Sequence, residues 1–292
     1  MKQLLTILIS VVLSVAVSAF VLKDKSTTIT NDQPAYDRVM KTGVLRCGYA
    51  MWPPEVLYKD AMTGEIKGLF YDIVETMGKN AGLKVEWVEE TGWGTFIEGL
   101  QSQRFDAFCA PLWRNADRGK LINYTVPLAY SSMHLYTRKD DFRFDNDITK
   151  LNDPSIKLAT LDGEMSDMVA TRFFPKAQKE SLPQMAELMQ LFLAVTAKKA
   201  DAVFVEPSTA KEFAKNNPGL IRQATKEPYQ IFPNSLGVNM GEEKLKNLLD
   251  SALVEMMNQG AIERMISERQ PDRSVFMPVA KPFIYIPPEE LP

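Results

Sequence analysis

The order of strands and helices in this chain repeats, and the repetition constrains the fold more than any other feature. The first part is predicted to have strands at 43–49, 84–89 and 105–112 and helices at 68–81 and 95–103. The second part is predicted to have strands at 156–161 and 201–206 and helices at 166–174 and 185–198. In each part an Asp-Ala pair, at 106–107 and 201–202, opens an apolar strand after a helix. Because strand–helix–strand order favours parallel sheets with crossover helices, the sequence predicts an α/β fold with two similar lobes.

The N-terminal 22 residues are interpreted as a targeting or anchoring segment. Lys2 precedes an uncharged run that ends at Leu22, and Val17-Ser18-Ala19 has the small residues of a signal-peptide cleavage site. The apolar run 4–22 also approaches the length of about 20 residues that a membrane-spanning helix needs. A cleaved signal and a retained inner-membrane anchor both stay open, and both predict that the body of the chain is periplasmic.

Composition excludes several classes of function. The chain has 34 Lys and Arg against 37 Asp and Glu, a net charge of -3, so a basic nucleic-acid-binding surface is not expected. Two cysteines and one histidine do not suffice for a zinc site with several Cys or His ligands. A Ser-His-Asp triad would have to use His134. No metal and no other cofactor is predicted.

The two cysteines, Cys47 and Cys109, are candidate disulfide partners, because the compartments outside the cytoplasm are oxidising. Both lie in apolar, strand-like runs, so two buried thiols fit the sequence equally well. The geometry of the two side chains decides between these alternatives.

The chain is predicted to divide into six segments. They are a signal peptide or anchor at 1–22, a linker at 23–35, the first segment of lobe 1 at 36–136, lobe 2 at 137–236, a return to lobe 1 at 237–270 and a proline-rich C-terminal arm at 271–292. The arm contains six prolines, so it is predicted to run extended over the surface.

Short motifs along the chain occur in a characteristic order. They are Gly43–Tyr49, Trp52-Pro53-Pro54, Gly64–Asp72, Gly92-Trp93-Gly94, Phe105-Asp106-Ala107, Arg118, Tyr124–Leu128, Leu161-Asp162-Gly163 and Asp201–Glu206. In this order and spacing the chain resembles the bacterial extracellular solute-binding proteins of family 3, over approximately Asp37–Glu268. The resemblance implies a type II periplasmic-binding-protein-like clamshell, in which each lobe is a mostly parallel sheet flanked by helices. It also implies capture of an amino acid or related amine by hinge closure, and delivery to an ABC-type membrane permease.

Two tryptophans follow predicted strands, where a cleft between α/β lobes is expected to lie. Trp52 follows the first strand and Trp93 follows the second. Two indoles from different loops can sandwich a solute and can face a cation. The alternative is that each ring packs at the edge of a lobe. Trp113 follows the third strand, and both interpretations apply to it equally.

The resemblance assigns opposite charges to the two ends of the solute. It places Arg118 on a carboxylate, which the planar guanidinium matches with paired donors, and it places Glu206 on an ammonium group. The alternative for Arg118 is a surface ion pair with Asp117 or Glu98. The alternative for Glu206 is a capping or hinge role.

Two departures from the family pattern reduce the number of anion-binding donors. Glu164 stands where the family usually has threonine, so that only the hydroxyl of Ser166 remains nearby, and Pro111 lacks a backbone N–H. The solute is therefore predicted to be cationic, or to be an amino acid held in a modified way. The predicted solute-binding residues are Trp52, Trp93, Trp113, Arg118, Glu164, Ser166 and Glu206.

Two other functions stay open from sequence. An exported enzyme of the dehydratase type on the same fold would use Glu206 or Glu164 as a general base, although no paired catalytic motif is visible. A sensor or interaction module would contact the membrane through an uncleaved N-terminal segment and dock a partner with its proline-rich arm. Binding of nucleic acid is not predicted in any of these cases.

Overall fold

The computed structural model describes residues 33–270 and 275–280. The described residues from Ala35 onward belong to one compact unit. The predictions for segment 1–22 and for most of the linker and the C-terminal arm lie outside the described residues. Within the described ranges, none of the helices is both long and apolar enough to cross a bilayer.

The described residues contain eight α-helices and thirteen β-strands. The helices are α1 Ala35–Thr42, α2 Leu69–Asn80, α3 Phe96–Gln101, α4 Met165–Phe173, α5 Met189–Thr196, α6 Pro207–Asn216, α7 Glu243–Asn258 and α8 Ala261–Arg269. The strands are β1 Val44–Tyr49, β2 Tyr58–Lys59, β3 Ile66–Lys67, β4 Lys84–Glu90, β5 Ala107–Trp113, β6 Ile122–Tyr124, β7 Ala129–Arg138, β8 Lys157–Leu161, β9 Gln178–Leu182, β10 Ala202–Val205, β11 Ile221–Gln223, β12 Gln230–Asn239 and β13 Phe276–Pro278.

The main sheet has two parallel ends joined by antiparallel strands. Its path runs β4-β1-β5-β12-β7-β10-β8-β9, with β1 parallel to β4 and β5 and with β8 parallel to β9 and β10. Helices flank both ends, so each end forms one α/β lobe. The predicted fold class, a two-lobed clamshell with mostly parallel sheets, is therefore confirmed.

The long strand β7 belongs to both lobes. It pairs with β12 from Ala129 to Met133 and with β10 from His134 to Thr137. Both strands are long, and no element was predicted at either position: β7 spans Ala129–Arg138 and β12 spans Gln230–Asn239. The predicted lobe boundaries at 136/137 and 236/237 fall inside these two strands and stay a prediction.

Most predicted elements form within a few residues of their expected limits, but one helix differs more. The helix predicted at 185–198 begins only at Met189, and residues 184–189 instead line a cavity beside the lobe. The helical region after Glu242 is divided into α7 and α8, because Gly260 adopts a left-handed conformation with φ 68° between them.

The loop that carries Trp52 is held against α2 by backbone contacts. Trp52 and Leu57 exchange two backbone hydrogen bonds of 2.8 and 3.1 Å, and Phe70 N–H donates to the carbonyl of Val56 at 3.0 Å. Gly68 precedes α2 with φ 129°, and a Cβ there would lie 2.5 Å from the Val56 carbonyl oxygen. Glycine is therefore needed for the close approach that fixes this loop.

The two cysteines form a disulfide in the structure. Cys47 lies on β1 and Cys109 on the neighbouring strand β5, their sulfurs are bonded at 2.01 Å, and both side chains are buried. Of the two states that the sequence left open, the structure therefore contains the bond.

The C-terminal arm was predicted to run extended over the surface; its described part, residues 275–280, is extended in strand β13, but two of its residues are buried. Strand β13 pairs with β7 from Ala129 to Ser131, and Phe276 is 0% exposed. The apolar residues Val275 and Phe276 bury themselves because a paired strand satisfies their backbone while their side chains leave water.

Candidate functional site

Most of the predicted site residues converge on one crevice between the lobes. They line a cavity of about 20 Å³ together with Pro111, Met165 and Leu188; the predicted members are Trp52, Trp93, Trp113, Arg118, Glu164 and Glu206. A cavity of this size accommodates about one water molecule. The two lobes therefore meet in close contact at the site.

Trp52 lies at the centre of an aromatic cluster. Its ring centroid is 6.2 Å from that of Trp93 and 5.9 Å from that of Trp113, with interplanar angles of 84° and 80°. Edge-to-face pairs of this kind stabilise each other beyond simple burial. Trp52 is only 4% exposed, so its indole fills the crevice.

Glu206 binds the Trp52 indole across the interface between the lobes. Trp52 Nε1 donates to Glu206 Oε1 at 2.8 Å, and the same oxygen accepts from the Thr209 backbone N–H and Ser208 Oγ, both at 3.1 Å, and from Thr209 Oγ1. Glu206 caps the N-terminus of α6 and is 3% exposed. Burial raises the pKa of its carboxyl group, and the hydrogen bonds from Thr209 and Trp52 oppose that rise.

Arg118 also connects the two lobes. Its Nη2 donates to the Trp93 carbonyl at 3.1 Å and to the Gly163 carbonyl at 2.9 Å, and the guanidinium lies over the ring of Phe96. Burial lowers the pKa of this guanidinium. A Cβ on Gly163 would lie 2.5 Å from the Cα of Gly94, so the two backbones touch beside the arginine.

The structure does not place Arg118 on the surface. It is 5% exposed, whereas the exposed Asp117, one of the partners expected in the alternative interpretation, pairs with Lys120 at 2.9 Å. Arg118 Nη2 donates to two backbone carbonyls, and the guanidinium group borders the crevice.

Glu164 and Ser166 lie at the start of α4. The resemblance described above assigns anion binding in the family to this helix start. Glu164 Oε2 accepts from the Ser166 backbone N–H at 2.7 Å, and Ser166 Oγ accepts from the Leu161 N–H at 3.1 Å. Ser166 is buried away from the crevice and does not line it. The carboxylate of Glu164 thus satisfies an amide at the N-terminus of α4 that could otherwise bind an anion.

Trp113 is held in place by residues of β7 and β12. The sequence analysis did not identify these residues. Trp113 Nε1 donates to Ser131 Oγ at 2.7 Å, and the indole stacks on Phe232 at 4.6 Å with an interplanar angle of 8°. Asn234 Nδ2 donates to the same Ser131 oxygen at 2.9 Å. The contacts of Phe232 with Trp113 and of Asn234 with Ser131 join positions more than 100 residues apart, so no local pattern reveals them.

A larger cavity of about 340 Å³ lies beside the crevice. The two cavities share Trp93 and Leu188, and the larger one is also lined by Met51 from the first lobe and Gln184 from the second. Its volume is in the range of small-molecule sites. Trp93 and Leu188 therefore form the partition between a wide outer space and the tightly packed crevice.

Two lobes that share crossing strands, with a crevice where they meet, define the class of type II periplasmic-binding folds. Residues 45–268 match the bacterial extracellular solute-binding proteins, family 3, and the chain belongs to this family. The function of this family is solute binding. The family predicted from the sequence motifs is therefore confirmed. Its members are described as extracellular proteins.

Comparison with known proteins gives relatives of similar length. A probable histidine-binding protein of Campylobacter jejuni is 25% identical over 203 residues, which cover 68% of this chain and 72% of the relative. The L-cystine-binding protein TcyA of Bacillus subtilis is 24% identical over 276 residues, which cover 91% and 96%.

Solved structures share the fold. The cysteine-binding protein of Campylobacter jejuni has a TM-score of 0.71 at 18% identity, and the match covers 85% of this chain and all (100%) of that chain. An ancestral amino acid-binding protein, described as a precursor of cyclohexadienyl dehydratase, has a TM-score of 0.68 at 24% identity, with coverage of 81% and 99%. At these identities the likeness supports the fold alone.

Proposed function

We propose that this protein is an exported receptor that captures a cationic amino acid by closure of its two lobes and presents it to an ABC-type permease. The observation that carries the proposal is the convergence of Glu206 from one lobe and Trp52 and Arg118 from the other on one crevice. A carboxylate suits an ammonium group, a guanidinium suits a carboxylate, and indoles suit an apolar or cationic side chain.

The solute replaces contacts that the protein makes with itself. The crevice measures about 20 Å³, so an amino acid fits only when the lobes part and Trp52 leaves Glu206. Glu206 then exchanges the indole N–H for the solute's ammonium group. Arg118 exchanges its carbonyl contacts with Trp93 and Gly163 for the solute's carboxylate.

Closure is driven by contacts that the solute makes with the joined lobes but not with the parted lobes. The strands β7 and β12 cross from one lobe to the other and act as the hinge. The outer cavity, partitioned from the crevice by Trp93 and Leu188, is the entry route. The relatives named for histidine and cystine binding support an amino acid as the solute class.

The enzyme alternative uses the same residue for a different purpose. Glu206 is a buried carboxyl with a raised pKa, a property shared by general bases. We infer binding rather than catalysis because three neighbouring side chains and one amide all donate to its Oε1. Oε1 therefore serves as the hydrogen-bond acceptor for these four groups.

Calorimetric titration with L-arginine, L-histidine, L-cystine and putrescine tests the proposed function. We expect a cationic amino acid, L-arginine or L-histidine, to bind with a stoichiometry of about one per chain, as a single crevice requires. Chemical conversion of the bound solute, assayed by mass spectrometry and abolished in Glu206→Gln, would replace the receptor by an enzyme. Absence of binding across the panel contradicts the proposal.

Replacing Arg118 with alanine is expected to weaken binding of the solute by at least about 2 kcal/mol, because a buried carboxylate loses its paired donors. Arg118→Lys is expected to recover only part of this loss, since an ammonium group lacks the planar fork. The exposed Arg114, which lies over the ring of Tyr124, provides a matched control. Equal affinities for Arg118→Ala and Arg114→Ala would remove Arg118 from the site.

The affinity for L-arginine is expected to rise with pH. Burial raises the pKa of Glu206, so protonation at low pH removes the charge that the cation requires. The charge of Glu164 raises this pKa further. Tyr136 is a second ionisable neighbour, and its own pKa is raised by burial and by Glu206. Arg118 lines the same crevice. For the same reason, the contribution of Glu206 to stability is present below its ordinary pKa and is lost as the pH rises through the raised value.

Calorimetry from about pH 5 to about pH 8 measures this dependence. The affinity should increase until the pH passes the raised pKa of Glu206 and then level off. In Glu206→Gln the remaining affinity should be nearly independent of pH over this range. A wild-type affinity that falls as the pH rises has the opposite sign and excludes an ionised Glu206 as the cation's partner.

A further inference from the structure

The C-terminal strand packs against a residue that lines the crevice, although the strand lies outside the family region. The family match ends at residue 268, and β13 begins at Phe276. Nevertheless the Phe276 side chain is 0% exposed and sits 6.0 Å, ring centroid to ring centroid, from Trp52. A segment added after the family fold therefore packs directly on the central indole of the site.

The Phe276 ring packs against the Trp52 indole and fixes its position. Its ring also lies 5.6 Å from Phe70 on α2, so the phenyl group is held between the helix and the indole. The other aromatic neighbours of Trp52 are Trp93 and Trp113, whose rings meet it in edge-to-face arrangements within the crevice. The Trp52 ring thus has one aromatic contact from the C-terminal strand and two from the crevice, in addition to its hydrogen bond to Glu206.

The backbone of the same residue supports the second indole. Phe276 pairs with Ser131 of β7, and Ser131 Oγ accepts from Trp113 Nε1 at 2.7 Å and from Asn234 at 2.9 Å. Ser131 also pairs with Phe232 of β12 on its other edge. This end of the hinge strand is therefore enclosed between two antiparallel neighbours.

The strand is anchored to the last helix by one side chain. Gln270 directly follows α8, and its Oε1 accepts from the Phe276 backbone N–H at 3.3 Å. Gln270 is buried, so this contact is shielded from water. It ties the strand to the end of the family fold.

We propose that β13 is a clasp in which Phe276 is a positioning residue for the solute-binding indoles Trp52 and Trp113. The clasp holds both rings in the orientation that receives the solute, and it braces the end of β7 at Ala129–Ser131. This inference rests on the proposed function for its effect on affinity. Its effect on the indoles is independent of any solute.

The first test uses the indole N–H signals of the protein labelled with ¹⁵N. The chain has four tryptophans, and replacing each with phenylalanine assigns its signal. In Phe276→Ala we expect the signals of Trp52 and Trp113 to shift. Trp87 is an internal control, because its Nε1 donates to Glu75 at 2.8 Å, away from the crevice, and its signal should stay in place.

Met277→Ala provides a matched control on the same strand. Successive side chains of a strand point to opposite faces, so Met277 does not share the environment of Phe276, and all four signals should stay in place. If Phe276→Ala does not fold by circular dichroism, Phe276→Leu removes the ring contacts while keeping an apolar side chain. Unshifted Trp52 and Trp113 signals in the folded variant overturn the clasp.

The second test separates positioning from general stabilisation. An aromatic contact of this kind corresponds to about a tenfold change in affinity, so Phe276→Ala should weaken L-arginine binding about tenfold. If Phe276 acts through Trp52, the same substitution in a Trp52→Ala background should change affinity less than about twofold. Equal losses in both backgrounds contradict positioning. If the wild-type protein binds no solute, the proposed function fails, while the indole signals still decide the clasp.

Discussion

Replacing Cys47 and Cys109 together with alanine is expected to lower the free energy of unfolding by about 4 kcal/mol. The disulfide joins residues 62 positions apart, and closing a loop of that length removes much of the conformational freedom of the unfolded chain. Guanidinium unfolding of the oxidised wild-type protein and of the double variant measures the difference.

A reductant provides the control for the disulfide prediction. It should destabilise the wild-type protein to nearly the same extent and leave the double variant unchanged. Because both sulfurs are buried between β1 and β5, reduction is to be carried out in denaturant before refolding. A difference below about 1 kcal/mol between wild-type and variant, outside the usual range for a native disulfide, would contradict the entropic account.

Glu206→Gln is expected to weaken binding of a cationic amino acid by about 3 kcal/mol, or roughly 100-fold, because a buried ammonium group loses its counter-charge. Glutamine keeps an oxygen that accepts from Trp52 Nε1 and Thr209, so the packing of the crevice is preserved. The free energy of unfolding should not fall at neutral pH, since a neutral amide costs less to bury than a carboxylate.

The matched control for this substitution lies on the same helix. Glu212→Gln changes the same functional group on α6, where Glu212 contacts Lys215 and Asn216 outside the crevice. Its affinity for L-arginine should equal that of the wild type. If both variants bind equally well, Glu206 does not hold the cation, and its role is limited to capping α6.

The parts of the fold that depend on local patterns could be predicted from sequence. Helix α2 follows the 3.6-residue spacing of Leu69, Ile73 and Met77, and the strand β10 follows an apolar run that opens after Asp201. The strands β7 and β12 are absent from the predicted elements, because their pairing depends on partners far away in the chain.

The candidate site was predictable to the extent that strand ends and motif spacing locate it. Trp52 and Glu206 follow β1 and β10, and the structure brings them within one hydrogen bond of each other. Ser166 was predicted beside them, but its hydroxyl is used by the Leu161 amide. The burial of Phe276 gave no sequence signal, because a lone apolar triplet in a proline-rich arm does not reveal the strand it joins.

The most direct test of the central claim, that the solute takes the place of the Trp52 indole at Glu206, is the ¹⁵N-indole spectrum recorded during titration with the amino acid that saturates the protein. Trp52 and Trp87 each donate to a carboxylate at 2.8 Å, but only Trp52 does so in the crevice. We predict that the Trp52 signal shifts in proportion to the bound fraction while the Trp87 signal stays in place. A Trp52 signal that does not move while calorimetry records saturation would contradict the account.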